Sequence, residues 1–86
     1  MCIRDSLMTE QQIQTKKIKE LEAKGYYVIK LVKTNKNGIP DLIAIPPNSN
    51  VEFIEVKTEK GRVSELQKYR HKELLEHGLI VEVYRG

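Results

Sequence analysis

The segment that most restricts the fold is VEFIEVK at residues 51–57, in which β-branched and aromatic residues are interleaved with charged ones. This composition predicts a β-strand. Because successive side chains of a strand point to opposite faces, residues 51, 53, 55 and 57 share one face and residues 52, 54 and 56 share the other. The sheet must therefore accommodate Glu55 and Lys57 on the same face as Val51 and Phe53.

The rest of the chain supplies two predicted helices and three further strands. The first helix covers Thr9 to Lys24, because Thr9 and Gln12 match a capping box and Gly25 provides a C-terminal stop. The other predictions are a strand at 26–33, a strand at 41–45, a helix from Ser64 to about His77 and a strand at 79–84. The order α-β-β-β-α-β predicts a mixed α/β fold, in which two helices cover a small mixed sheet.

Length and composition narrow the class of protein. A chain of 86 residues with 40% hydrophobic residues is typical of one globular domain. The single cysteine, Cys2, excludes an intrachain disulfide and a cysteine-based zinc site, and no apolar run is long enough to span a membrane. We expect residues 1–8 to be a tail, non-native or disordered, and residues 9–86 to form the domain.

Glu55 and Lys57 are unusual on an apolar sheet face, because a buried charge is costly unless it is paired or binds a metal. A salt bridge on an edge strand would also explain them. Asp41 is a similar case, because it shares a face with Ile43 and Ile45, although an aspartate after a proline is also a common turn residue. If strands 41–45 and 51–57 pair antiparallel, Asp41 approaches both Glu55 and Lys57.

Two neighbouring carboxylates repel each other unless a cation lies between them. Oxygen ligands of this kind suit Mg²⁺ or Mn²⁺, and magnesium leaves part of its coordination shell for water and phosphate oxygens. A lysine beside such a site can stabilise negative charge that develops on a phosphate. The combination indicates metal-assisted hydrolysis of a phosphodiester.

Further candidates lie on the two predicted helices. Glu10 projects into the apolar stripe of the first helix, although an acid at a helix start also interacts favourably with the helix dipole. Gln67 points inward on the second helix, but it also forms a capping box with Ser64. His71 is a weaker candidate for substrate contact. Tyr69 is typical of a core or edge residue, and it could instead stack or contact phosphate.

Together these residues resemble a known family. Gly38-Ile39-Pro40-Asp41 is followed fourteen residues after the aspartate by Glu55-Val56-Lys57, and Gln67 comes ten residues after the lysine. This order and spacing resembles the VRR-NUC domain, the virus-type replication-repair branch of the PD-(D/E)XK nucleases. The resemblance covers Thr9 to Arg85 and implies a restriction-endonuclease-like core.

The resemblance also implies roles for the residues. Asp41, Glu55 and the backbone carbonyl of Val56 would hold Mg²⁺ or Mn²⁺, and Glu10 would support the site by binding metal or orienting water. Lys57 would position or activate the attacking water, and Gln67 would contact the site or the scissile strand. The implied protein is a cytoplasmic homodimer that cleaves branched DNA like a Holliday-junction resolvase, in a bacterium or a phage-infected cell.

The charge distribution is compatible with a DNA partner. The net charge is only +3, but seven basic residues against two acidic ones lie between Lys16 and Lys36, and six against two between Lys57 and Lys72. The predicted DNA contacts are Lys17, Lys36, Lys60, Arg62 and Arg70. The alternative hypotheses are a non-catalytic DNA-binding module or subunit on the same fold, and a structural protein, which would leave the inward charges unexplained.

Overall fold

A computed structural model describes residues 8–47 and 50–86, and residues 1–7 of the predicted tail lie outside this part of the chain. The elements are α1 (Glu10–Ala23), β1 (Tyr27–Lys30), β2 (Leu42–Ile45), β3 (Glu52–Lys57), α2 (Glu65–Glu76) and β4 (Ile80–Arg85). The predicted order α-β-β-β-α-β is confirmed. No helix in the described ranges is long and apolar enough to cross a membrane.

Both helices begin with the predicted capping boxes. In α1 the Thr9 side chain accepts a hydrogen bond from the Gln12 amide, and the Gln12 side chain accepts one from the Thr9 amide. Ser64 and Gln67 repeat the arrangement at the start of α2. Glycines with positive φ follow both helices, at Gly25 and Gly78, because this backbone conformation is costly for other residues.

The four strands form one mixed sheet in the order β1-β2-β3-β4. The first three are antiparallel neighbours, and β4 runs parallel to β3. The third strand is therefore internal, which excludes the edge-strand salt bridge as an explanation for its charges. The predicted strand 26–33 was too long, because β1 loses its partner where β2 begins: Lys30 pairs with Leu42, and the Leu31 amide donates to the Asp41 carbonyl.

The apolar core lies on one face of the sheet, between the strands and α1. The Ile13 and Leu21 side chains of α1 are buried against β2 and β3. The other members of the buried core are Leu42, Ala44, Ile54 and Val56. Met8, the last residue of the predicted tail, is partly buried against this core.

The opposite face carries α2 and is different in character. No residue of α2 is fully buried. The two buried charged residues of the described chain, Glu55 and Lys57, lie on this face, as the alternation of β3 predicted. The face that holds the charges is thus separate from the face that holds the apolar core.

Candidate active site

Asp41 lies directly before β2 and reaches across to β3. The buried Pro40 and a positive φ of 84° at Gly38 shape the turn that precedes it. One carboxylate oxygen of Asp41, Oδ2, accepts a hydrogen bond of 2.8 Å from the Val56 amide. The antiparallel pairing of β2 with β3 therefore brings Asp41 to the end of β3, as the sequence predicted.

Among the charged residues of the described ranges Glu55 is the most deeply buried, with 1% of its surface exposed. Its carboxylate is held from α2 on both oxygens. The Gln67 Nε2 donates to Oε2 at 3.0 Å, and the His71 Nε2 lies 3.3 Å from Oε1. Gln67 thus has two functions, because its side-chain oxygen caps α2 while its nitrogen holds Glu55.

Burial raises the pKa of Glu55 to about 8, and the neighbouring Asp41 carboxyl adds to the effect. The Lys57 ammonium acts in the opposite direction but is outweighed. Burial also lowers the pKa of His71, with a further contribution from Lys57, which favours the neutral imidazole. The positive charge near Asp41 and Glu55 is thus too small to keep the pKa of Glu55 at its usual value.

Lys57 projects into the same site with 8% of its surface exposed. Its Nζ lies 3.9 Å from Glu55 Oε2, which is an ion-pair distance but too long for a hydrogen bond. Its main chain is fixed separately, because the Gly86 amide donates to the Lys57 carbonyl. The ammonium is therefore close enough to influence a reacting group without being locked to the carboxylate.

The donor set fits a hard divalent cation. Asp41 and Glu55 offer carboxylate oxygens, and a positive ion between them would offset both the burial of Glu55 and the repulsion from Asp41 that raise its pKa. In a strand the N–H and C=O of one residue lie on the same edge, so the Val56 carbonyl is on the edge where its amide meets Asp41. Within the described ranges no three His, Cys, Asp or Glu side chains form a metal-binding group. Such a site would need water or phosphate oxygens, which is common for magnesium.

Glu10 is the first residue of α1 and is exposed, and its predicted role in supporting the site stays a prediction. On the helical wheel it lies on the same side of α1 as the buried Ile13 and Leu21. Its charge still acts on the site, since it contributes to the raised pKa of Glu55. Glu10 is therefore an electrostatic neighbour of the carboxylate pair.

The predicted DNA-contact residues fall into two groups. Lys36, Lys60 and Arg62 are exposed. Lys17 is partly buried, pairs with Glu20 at 3.0 Å and lies over the Tyr84 ring. Arg70 is also partly buried, and its guanidinium bonds within the protein. The first group has free access to a ligand, whereas the second is engaged in contacts of its own.

His71 contributes more to the site than the sequence suggested. The signal that could have identified it is its position four residues after Gln67, because residues four apart lie on the same side of a helix. A helix that presents Gln67 to Glu55 therefore presents His71 to the same carboxylate. Tyr69, by contrast, is exposed.

Comparisons with known proteins agree with this fold. The model of the VRR-NUC domain family matches residues 4–86. A solved structure described as a VRR_NUC domain is 32% identical, with a TM-score of 0.79, and the match covers 90% of this chain and 83% of that one. No curated protein sequence matches the chain.

Proposed function

The chain belongs to the VRR-NUC domain family and is a nuclease-type domain, and from this premise we propose that it is a metal-dependent endonuclease that hydrolyses phosphodiester bonds in branched DNA. The observation that carries the proposal is the convergence of Asp41, Glu55 and Lys57 at the ends of two central strands. Two carboxylates and an ammonium at one place are the groups that hydrolysis of a phosphodiester needs.

Asp41, Glu55 and the Val56 carbonyl would hold Mg²⁺ or Mn²⁺. When bound, the cation would supply Lewis acidity toward a phosphate oxygen and favour hydroxide over water. Gln67 and His71 keep the Glu55 carboxylate oriented from α2. The Val56 amide does the same for Asp41, so the ligands are fixed before any substrate arrives.

Lys57 carries the substrate-facing role in this proposal. Its ammonium can orient the attacking water and stabilise the negative charge that accumulates on the phosphate oxygens. Burial strengthens this interaction, because electrostatic attraction is larger where water is excluded. Glu10 supports the site through its charge, and the exposed Lys36, Lys60 and Arg62 are positioned to contact phosphates outside it.

The size of the domain and one of its surfaces support a homodimer as the proposed assembly. A domain of 86 residues is too small to enclose two arms of branched DNA, which favours a homodimer with two sites. The exposed apolar residues Tyr27 and Ile29 on β1 offer a surface for a second copy. Light scattering at the working concentration checks this point, since full activity at the mass of one chain would contradict the dimer.

The activity is tested with purified protein on supercoiled plasmid, flap, splayed-arm and four-way-junction DNA, with Mg²⁺, with Mn²⁺ and with chelator. We expect metal-dependent cleavage and the highest rate on a branched substrate. A protein that binds the junction but cleaves none of the substrates with either metal would support the alternative, a non-catalytic DNA-binding module. Cleavage that is equal on linear duplex and on junction would retain the nuclease and reject the branched-DNA specificity.

A further inference from the structure

Arg70 is bonded across the structure to the turn that precedes Asp41. Its Nε donates a 2.8 Å hydrogen bond to the Asn37 carbonyl, thirty-three residues away in the chain. Its Nη1 pairs with Glu73 Oε1 at 2.8 Å, one turn further along α2. The side chain is only 18% exposed. Two of its three nitrogens are thus already committed within the protein.

A second contact joins the same helix to the same turn. Gly38 has a φ of 84°, and a Cβ added there would lie 2.8 Å from Leu66 Cγ, closer than real contacts allow. The glycine therefore permits both the left-handed turn and the close approach of Leu66. Arg70 and Leu66 lie four residues apart on α2 and therefore on the same face of the helix. From this face they contact two adjacent residues of the turn, Asn37 and Gly38.

These contacts connect the two proposed metal ligands, Asp41 and Glu55, through helix α2. Helix α2 holds Glu55 through Gln67 and His71, and it holds the turn at residues 37–40 through Arg70 and Leu66. The turn leads directly into Asp41, whose carboxylate returns to β3 at the Val56 amide. Helix α2 therefore helps to position both carboxylates. Arg70 supplies the hydrogen bond from α2 to the turn that precedes Asp41.

We propose that Arg70 is a positioning residue that sets Asp41 relative to Glu55 by holding the 37–40 turn against α2, and that it is not a DNA contact. The inference rests on the proposed function, because it assigns a role within that site. It differs from the sequence prediction, which placed Arg70 on the phosphate-binding surface.

The geometry explains why an arginine is needed at this position. A guanidinium carries Nε–H and Nη–H donors in one rigid plane, so it can bond the Asn37 carbonyl and the Glu73 carboxylate at the same time. A lysine keeps the positive charge but has a single flexible ammonium at its end. Arg70→Lys therefore separates a DNA contact from a positioning role. It keeps the positive charge that DNA would bind, but it weakens the link between α2 and the 37–40 turn.

The experiment compares Arg70→Lys with the wild type in the absence of DNA and of cleavage. The Val56 amide reports the position of Asp41, because Asp41 Oδ2 is its acceptor. We expect its hydrogen exchange to accelerate about tenfold in Arg70→Lys, as the loss of a hydrogen bond to a charged group implies. We also expect calorimetry to show Mn²⁺ binding weakened by about tenfold, the effect of disturbing a residue that orients a ligand.

DNA binding provides the opposing measurement. In chelator, the affinity of Arg70→Lys for a four-way junction and the slope of its logarithm against the logarithm of salt concentration should match the wild type. Arg70→Met loses the charge, and it should also leave the slope unchanged. A slope reduced by about one in Arg70→Met would identify a phosphate contact and overturn the proposal. Unchanged Val56 exchange and Mn²⁺ affinity in Arg70→Lys would overturn it equally.

Two controls distinguish the loss of the Arg70–Asn37 hydrogen bond from a general loss of structure. Glu73→Gln keeps an acceptor for Nη1 and leaves the Asn37 hydrogen bond intact, so Val56 exchange should stay close to the wild type. Lys72→Met removes an exposed charge from the same helix and should also leave Val56 exchange unchanged. If either control accelerates that exchange as much as Arg70→Lys, the effect belongs to α2 as a whole and the proposal is wrong. A wild type that never cleaves DNA would reject the nuclease but not the exchange result.

Discussion

The two helices begin with the same capping motif but contact the sheet in different ways. Each starts with a hydroxyl residue and a glutamine three positions later, and each forms a complete capping box. Helix α1 then buries Ile13 and Leu21 against an apolar sheet face. Helix α2 buries no side chain fully and meets the sheet through polar groups that surround Glu55.

The comparison shows that this small domain separates stability from chemistry on the two faces of one sheet. The face under α1 contributes hydrophobic burial, which is the main favourable term in folding. On the face under α2, burial and the nearby Asp41 carboxylate raise the pKa of Glu55, and burying this acidic group costs stability in the absence of a cation. Substitutions on the two faces should therefore have different consequences.

The largest expected effect lies on the α2 face. Lys57→Ala and Asp41→Asn should each reduce the rate of metal-dependent DNA cleavage by at least about a hundredfold, because each removes a charged group from the proposed reaction centre. Far-ultraviolet circular dichroism and the urea midpoint should stay near those of the wild type. Retained cleavage in either variant would show that the α2 face is not the reaction centre.

The matching substitution on the α1 face should act on stability. Leu21→Ala should lower the free energy of unfolding by about 2–5 kcal/mol, because it removes a buried side chain and leaves a cavity. The control is Leu75→Ala on α2, which should change stability by less than about 0.5 kcal/mol since Leu75 is exposed. Urea unfolding measures both, and equal losses would contradict the proposed separation.

The two capping glutamines allow a matched test. Gln12→Ala and Gln67→Ala should each cost up to about 1 kcal/mol of stability through the lost cap. Only Gln67→Ala also removes a donor to Glu55, so cleavage should fall about tenfold or more in this variant alone. Single-turnover cleavage rates measure the difference. An equal cleavage rate in both variants would show that Gln67 acts only as the capping residue of α2.

A smaller effect concerns the pH dependence of stability without metal. Because the pKa of Glu55 is raised from 4.5 to about 8 on folding, the folded state binds this proton more tightly than the unfolded state. This contribution is fully present below pH 4.5 and is lost as the pH rises through about 8. Urea midpoints across this range should therefore decline more steeply in the wild type than in Glu55→Gln, and parallel profiles would contradict the assignment.

The sequence was sufficient to predict the parts of the structure that depend on local pattern. Alternation along β3 placed Glu55 and Lys57 on one face, and antiparallel pairing with β2 brought Asp41 to them. Both capping boxes were visible as residues three apart. These predictions succeeded because strand and helix geometry fix the relation between sequence spacing and position.

The parts that the sequence could not predict depend on how α2 is rotated and placed against the sheet. Arg70 was grouped with the DNA contacts, because nothing in its neighbourhood indicates a carbonyl thirty-three residues earlier as its partner. For Glu10, a helical wheel gives the direction of the side chain but not that it is exposed at the start of α1 and acts on the pKa of Glu55. In each case the missing information is tertiary placement, which periodicity does not contain.

Calorimetric titration with Mn²⁺ shows whether the α2 face holds a divalent cation between Asp41 and Glu55, as we propose. We predict one binding site in the wild type, no detectable site in Asp41→Asn or Glu55→Gln, and an unchanged site in the exposed acidic control Glu59→Gln. Binding of equal affinity in the wild type, Asp41→Asn and Glu55→Gln would contradict the claim.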